Sequence, residues 1–162
     1  MPILTAAMKQ MLDEQRLGFV ATVCPDGTPN LSPKGTTTAW DDDHLVFADI
    51  HSPGTIANLR QNPHIEVNVV DPFARKGYRF KGTASVLTEG PQYDAIVAFY
   101  RQRGSRAVIR AIVLIEISQA APLISPAYDD GTSEAEIRQR WEYHYADLHR
   151  QWAASIKHAS EA

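Results

Sequence analysis

Short runs of β-branched and aromatic residues, separated by tight turn sequences, constrain the fold of this chain more than any other feature. Residues 17–24 form such a run, and Pro25-Asp26-Gly27-Thr28 follows as a turn in which Gly27 can take a positive φ. Residues 30–40 would then form the second arm of a hairpin. Because the centre of this arm is a lysine, a glycine and three threonines, we expect it to face a polar environment.

Further strand patterns alternate with helical patterns along the chain. Strands are predicted over residues 45–50, 65–70, 78–87 and 107–118, and helices over residues 5–15, 55–62, 91–103 and about 132–159. Since most of the strands are joined by short turns, an antiparallel sheet closed into a barrel fits better than a doubly wound parallel sheet. The sequence therefore predicts a single α+β domain, residues 1–162, with a β-barrel core, short helices and a long C-terminal helix.

Composition limits the partners of the chain. A formal net charge of −3 gives no overall positive field to attract nucleic acid, and no apolar run reaches the ~20 residues that a membrane-spanning helix needs. Cys24 is the only cysteine, which excludes an internal disulfide. Because residues 1–4 also lack the features of a signal peptide, we expect a cytoplasmic protein that binds neither nucleic acid nor membrane.

Two segments carry the residue types that bind a phosphate group. They are Ser32-Pro33-Lys34-Gly35-Thr36-Thr37 and His51-Ser52-Pro53-Gly54-Thr55, and one hairpin separates them. A phosphate group needs hydroxyl and N–H donors and a cation, and a helix N-terminus adds a favourable dipole. The residues alone leave a second interpretation open, in which the threonines face solvent on a strand and Ser52 only caps the following helix.

The order of several motifs resembles the pyridoxamine 5′-phosphate oxidase-like, FMN-binding split-barrel family. These motifs lie at residues 17–23, 26–29, 32–35, 58–67 and 79–84. The resemblance implies an antiparallel split β-barrel and a homodimer with the flavin at the subunit interface. It also implies that residues 32–37 line the ring and ribityl chain of FMN, while His51, Ser52 and Thr55 approach its phosphate.

Two departures from the family pattern change what the resemblance implies. Many members have Arg or Lys in the turn before the short helix, where this chain has Gly54 and Thr55. The cation that holds the phosphate would then be Lys34, or else Arg79 or Lys81 of the partner subunit. The C-terminal part also lacks the segment with Arg and His that true pyridoxamine phosphate oxidases use to hold their substrate, so oxidation of vitamin B6 is not expected.

The expected function is that of an FMN-dependent oxidoreductase that moves hydride or electrons between a reduced nicotinamide and a small molecule. A deazaflavin-dependent reductase and a flavin-binding sensor without turnover are the alternatives. The sequence assigns no catalytic residue and no metal site, since the acidic turn at residues 41–44 is better explained as a solvated loop. Trp141, Tyr145 and Trp152 share one face of the C-terminal helix, where a core or a dimer interface is expected rather than a lid over the cofactor.

Overall fold

A computed structural model describes residues 2–160 of the chain, with side chains described up to residue 156. Within this part, the strands are β1 (Gly18–Val23), β2 (Pro29–Lys34), β3 (Thr38–Ala39), β4 (His44–Asp49), β5 (His64–Asp71), β6 (Lys76–Leu87) and β7 (Ala111–Ile124). The helices are α1 (Ala6–Gln15), α2 (Pro53–Gln61), α3 (Pro91–Gln102) and α4 (Glu134–Ser160), with a short 3₁₀ turn at Pro126–Tyr128. The strands form one antiparallel sheet, ordered β2-β1-β5-β6-β7-β4-β3, that curls into a half-barrel. The predicted α+β split barrel is therefore confirmed.

Two compact units make up the chain. Among the described residues, the first contains residues 2–69 together with 77–122, and the second contains residues 70–76 and 123–160. No helix within residues 2–160 is both long enough and apolar enough to cross a bilayer.

The core of the first unit has two layers because β4 is buried on both of its faces. Leu45 and Phe47 pack in one cluster with residues of α1 and α2, whereas Val46 and Ala48 pack in another with residues of α3. This continuous apolar run is typical of a strand covered on both sides. β4 therefore lies between two packed layers.

The predicted hairpin is confirmed, but its second arm is not one continuous strand. β1 and β2 pair antiparallel, with Gly18 opposite Lys34 and Val23 opposite Pro29. The prediction of a single strand over residues 30–40 is wrong, because the chain turns at residues 35–37 and re-enters the sheet at its opposite edge as β3. The Thr37 hydroxyl closes this turn by donating to the Lys34 carbonyl at 2.9 Å.

Close packing of Gly18 against Thr37 fixes the start of β1. Thr5 caps α1, and its hydroxyl accepts a backbone N–H of the helix at 3.3 Å. The helix ends at Gln15 because Arg16 takes a left-handed backbone conformation, with φ 52°. Gly18 is needed because a Cβ there would lie 2.5 Å from the Thr37 hydroxyl oxygen.

β7 also differs from the predicted strand over residues 107–118. It begins at Ala111, opposite Asp49, because its partner strand β4 ends there and leaves residues 107–110 without a strand to pair with. At its other end β7 continues past Ser118 to Ile124. The strand therefore reaches from the first unit into the second.

The second unit consists mainly of the β5–β6 turn and α4. Ser133 and Glu136 form a capping box at the start of α4: the Glu136 carboxylate accepts the Ser133 N–H at 2.9 Å, and Ser133 Oγ accepts the Glu136 N–H at 3.3 Å. The predicted long C-terminal helix is thus confirmed. Its aromatic face is only partly buried, because Tyr145 packs on Phe73 with ring centroids 5.3 Å apart, whereas 59% of Trp152 is exposed.

Candidate functional site

The two predicted phosphate-binding segments meet where the edges of the curled sheet come together. β2 ends at Lys34 on one edge, and the chain leaves β4 beside the other edge at residues 50–52. A cavity of about 370 Å³ lies between these segments. We refer to it as the seam cavity, and it is lined by Pro33, Lys34, Gly35, Thr36, Ala48, Ile50, His51 and Ser52.

Lys34 organises the polar wall of the seam cavity. Its ammonium group donates to the hydroxyl of Ser32 at 2.6 Å and to that of Ser52 at 2.7 Å. Only 7% of the residue is exposed. Because each serine oxygen accepts from the ammonium, the proton of each hydroxyl is available for a bound anion. The three groups therefore form a donor cluster, which we call the lysine–serine cluster.

Asp49 supplies the opposite charge beside this cluster. The carboxylate is buried and accepts the Ser52 N–H at 2.7 Å. Burial lowers the pKa of Lys34, and the negative charge of Asp49 partly opposes that change. The sequence interpretation missed Asp49, although one acidic residue at the end of an otherwise apolar strand was a usable signal.

The turn at residues 35–37 joins the two edges of the sheet. Thr36 Oγ1 accepts the Ala48 N–H at 2.9 Å, and the Tyr100 hydroxyl donates to the Thr36 carbonyl at 2.8 Å. Burial raises the pKa of Tyr100, so its hydroxyl keeps the proton that this hydrogen bond needs. The turn is therefore held from both β4 and α3.

The alternative in which these residues are merely solvent-facing or capping is wrong. Thr37 and Thr38 are buried rather than exposed on a strand surface. Ser52 occupies the N-cap position of α2, yet its side chain makes no capping hydrogen bond. Its hydroxyl instead belongs to the lysine–serine cluster.

Several predicted site residues lie outside the seam cavity. Thr37 and Thr55 are buried and do not line it, although the backbone N–H of Thr55 belongs to the first turn of α2. Arg79 and Lys81 lie on β6, where both form ion pairs with Glu66, at 2.8 Å and 3.5 Å. Within one subunit these two cations are therefore part of a different surface.

Two arginines that the sequence interpretation missed lie next to the same turn. A cavity of about 230 Å³ shares Gly35 and Thr36 with the seam cavity and is also lined by Arg16 and Arg103. Arg103 pairs with the carboxylate of Asp13 at 2.8 Å. No motif could have found these arginines, because they lie at the ends of α1 and α3 and only the fold brings them to the turn.

Comparison with known proteins identifies the family of this barrel. The family model described as pyridoxamine 5′-phosphate oxidase matches residues 4–122. The chain belongs to this family. The resemblance predicted from the sequence is thereby confirmed, and the lysine–serine cluster lies inside the matched range of the pyridoxamine 5′-phosphate oxidase family.

Solved structures show how widely this fold is shared. A tagged form of HupZ from Group A Streptococcus is 34% identical, with a TM-score of 0.69 over 75% of this chain and 95% of that one. An FMN-binding protein from Syntrophomonas wolfei is 18% identical, with a TM-score of 0.60 over 71% of this chain and 82% of that one. An F420 reductase is 19% identical, with a TM-score of 0.56 over 73% and 98%. No curated protein gives a significant match.

Proposed function

We propose that this chain is an FMN-binding flavoprotein that works as a cytoplasmic homodimer. Its proposed reaction is the transfer of hydride or electrons between a reduced nicotinamide and a small-molecule acceptor. The observation that carries the proposal is the lysine–serine cluster, in which the ammonium of Lys34 and the hydroxyl of Ser52 lie on the wall of the seam cavity and the hydroxyl of Ser32 lies beside them. Membership of the family supports the same conclusion.

The residues at the seam fit the phosphate end of FMN. A phosphate group is held by charged donors, hydroxyls and the free N–H groups of a helix N-terminus. Lys34, Ser32 and Ser52 supply the first two kinds. The third comes from Gly54 and Thr55 in the first turn of α2, where Pro53 precedes them and has no N–H of its own. We infer that these groups hold the phosphate, while residues 33–36 lie along the rest of the cofactor.

The bound flavin would supply the hydride chemistry, since its ring accepts and releases hydride. The protein's own residues bind and orient it. Lys34 keeps a positive charge beside the anion, and Asp49 fixes the Ser52 N–H at the start of α2. Tyr100 holds the Thr36 carbonyl and so keeps the turn in place.

An apolar surface on the sheet supports the proposed homodimer. On the outer face of β1 and β2, Phe19 lies opposite Pro33 and Ala21 lies opposite Leu31, of which 67% is exposed. Pro33 also lines the seam cavity, so this surface runs directly into the proposed flavin site. A second copy that covers it would complete the site.

The cations on β6 fit the same arrangement. Ala21 lies opposite Glu66 of β5, which places the ion pairs of Arg79 and Lys81 beside the apolar surface. We propose that Arg79 and Lys81 of the partner subunit reach the flavin site. Their contribution would replace the basic residue that is missing at Gly54 and Thr55.

Reconstitution of the purified protein tests this function. We expect the protein to retain FMN, with the absorbance bands of a bound flavin, and to lose the oxidised bands when NADH or NADPH is added without oxygen. Retention of FMN without reduction would favour a flavin-binding sensor. Binding of the deazaflavin F420 in place of FMN would favour the reductase alternative, and binding of neither would contradict the proposal.

The assembly is tested separately by size-exclusion chromatography with light scattering. The wild-type chain should have the mass of a dimer, and Leu31→Asp should have the mass of a monomer because it places a charge in the apolar surface. Tyr143→Asp is a suitable control, since 70% of Tyr143 is exposed on α4. A monomeric wild type would contradict the dimer.

A further inference from the structure

Another cavity, of about 420 Å³, lies within the second unit. We refer to it as the arginine cavity, and it is lined by Val70, Arg75, Ser125, Ala127, Arg140 and Trp141. None of these six residues is acidic. Two guanidinium groups therefore line one cavity without a carboxylate in its wall.

Arg75 is held in place by a turn with little freedom to move. Its backbone has φ 54°, in the left-handed region that residues other than glycine rarely adopt. The carboxylate of Asp71 accepts the N–H groups of Phe73 at 2.8 Å and Ala74 at 3.0 Å, and the Asp71 carbonyl accepts the Arg75 N–H at 2.8 Å. Arg138 pairs with the other carboxylate oxygen of Asp71 at 2.8 Å. The turn is thus fixed to α4 by a buried acid.

Stacking on an aromatic ring orients the Arg75 side chain. Its guanidinium carbon lies over the Trp141 ring, 3.4 Å from the centroid. A stacked guanidinium keeps its N–H donors in its own plane, where an anion can reach them. Among residues 2–156 the Arg75 side chain makes no ion pair and no hydrogen bond. The group is therefore positioned but has no polar partner in that part of the chain.

Arg140 is the second cation of the cavity. It is exposed and makes no ion pair within the described side chains. The nearby acid Asp130 has a lowered pKa chiefly because the Thr132 hydroxyl donates to it, with a smaller contribution from Arg140. Glu136 is similarly held by the hydroxyl of Ser133, at 2.6 Å. Both neighbouring carboxylates thus have partners of their own.

We propose that the arginine cavity binds a small organic oxyanion, through a phosphate or carboxylate group held by Arg75 and Arg140. A guanidinium group can donate two parallel hydrogen bonds to two oxygens of a carboxylate or a phosphate group. The Ser125 oxygen accepts the Ala127 N–H at 3.2 Å, so its hydroxyl proton can also point at the anion. The partly buried Trp141 and Val70 offer apolar surface for the organic part of the ligand. Ser125, Arg140 and Trp141 lie beyond residue 122, where the match to the family model ends.

Calorimetric titration of the full chain with inorganic phosphate tests the proposal. Ionic strength is held constant with chloride, and the titration is repeated in a Lys34→Ala background, so that phosphate bound at the seam cavity is separated from phosphate bound at the arginine cavity. We expect saturable binding that Arg75→Gln and Arg140→Gln each weaken at least about tenfold, the loss typical of one charged hydrogen bond. Arg75→Lys should also bind more weakly than the wild type, because the charge remains but the planar donors do not.

The matched control is Arg106→Gln, which removes the same charge from an exposed residue outside the cavity lining. It should leave phosphate binding unchanged. A parallel titration with acetate identifies the anion: tighter binding of acetate assigns a carboxylate ligand, and tighter binding of phosphate assigns a phosphorylated one. Absence of saturable binding to both anions, or equal affinities in the wild type and the Arg75 and Arg140 variants, would overturn the proposal.

Discussion

The seam cavity and the arginine cavity place positive charge beside a cavity in opposite ways. Lys34 is buried, and Asp49 with two serine hydroxyls offsets the cost of removing its charge from water. Arg140 remains exposed, and Arg75 is stabilised by an aromatic ring rather than by an acid. The seam therefore holds its cation beside a buried acid, whereas Arg75 and Arg140 form no ion pair with a carboxylate among the described side chains.

The two cavities also depend on different lengths of chain. The seam forms only when the sheet curls, because Thr36, Ala48 and Tyr100 come from three distant parts of the sequence. Arg75 is fixed by a turn only five residues long, which Asp71 closes. Substitutions can therefore disable either cavity and leave the other intact.

Removal of the Asp71 carboxylate should have the largest effect. Asp71→Ala leaves two N–H groups and Arg138 without their partner, so we expect a loss of about 3 kcal/mol in the free energy of unfolding, measured in urea. Phosphate affinity should fall because Arg75 is released, whereas FMN affinity should not change. Asp147→Ala breaks an exposed pair with Arg150 and should cost less than about 1 kcal/mol. Equal costs for the two variants would show that the turn is not fixed by Asp71.

The ion pair between Asp71 and Arg138 also predicts that the free energy of unfolding depends on pH in the acidic range. Hydrogen bonds from Ala74 and Phe73 and the charge of Arg138 outweigh burial and lower the pKa of Asp71 below its ordinary value of 3.8. The stabilisation is present above that value and is lost as the pH falls through the lowered pKa. Unfolding of Asp71→Ala should accordingly depend less on pH in this acidic range than unfolding of the wild type.

Gly18→Ala should instead weaken FMN binding at the seam cavity. The new Cβ would lie 2.5 Å from Thr37 Oγ1, so the turn must move, at a cost of about 2 kcal/mol in thermal or urea unfolding. FMN affinity should fall, and phosphate binding at the arginine cavity should remain. Gly54→Ala is the control for stability alone, because a Cβ there meets nothing within 4 Å and alanine is the better helix former. If Gly18→Ala bound FMN as tightly as the wild type, the turn would not control the site.

Tyr100→Phe should have a smaller effect of the same kind. It removes the donor to the Thr36 carbonyl, at a cost of about 1 kcal/mol, and should weaken FMN binding only slightly. Tyr143→Phe, at an exposed position, should change neither quantity. A loss as large as that of Gly18→Ala would mean that α3, rather than β1, mainly holds the turn.

The smallest expected effect is a change in FMN affinity with pH. Because burial lowers the pKa of Lys34 from 10.5, the ammonium should lose its proton at a lower pH than an exposed lysine does. FMN affinity should then fall a few-fold as the pH rises toward 10.5, whereas Lys34→Arg should keep its affinity over the same range. The unfolded chain holds this proton to a higher pH than the folded protein does. The free energy of unfolding should therefore increase slightly as the pH rises over that range. An affinity that stays constant in the wild type would exclude Lys34 from the phosphate site.

Local patterns made much of the fold predictable from the sequence. The first hairpin follows from the turn at Gly27, and α4 follows from acids at a helix start and the absence of Gly and Pro. The break at residues 35–37 could not be predicted, since the threonines at positions 36 and 37 also suit a strand. It arises because the chain crosses from one sheet edge to the other.

The candidate site was predictable only in part for the same reason. The lysine–serine cluster follows from motifs close together in the sequence, and Asp49 lies only three residues before Ser52, but Arg16 and Arg103 approach the turn only through the folded sheet and helices. The arginine cavity was not foreseen, although the aromatic face of α4 was. Its formation depends on the left-handed conformation of Arg75, for which the sequence carries no clear signal.

The central claim is that FMN binds at the lysine–serine cluster, and equilibrium titration with FMN, followed by quenching of flavin fluorescence, tests it most directly. The wild type should bind one FMN per chain. Lys34→Ala should bind about 10- to 100-fold more weakly, because it removes a charged donor worth about 1.5–3 kcal/mol. Lys9→Ala, which removes the same charge from α1 outside the cavity lining, should bind as the wild type does. Failure of the wild type to bind FMN, or equal affinities for all three proteins, would contradict the assignment.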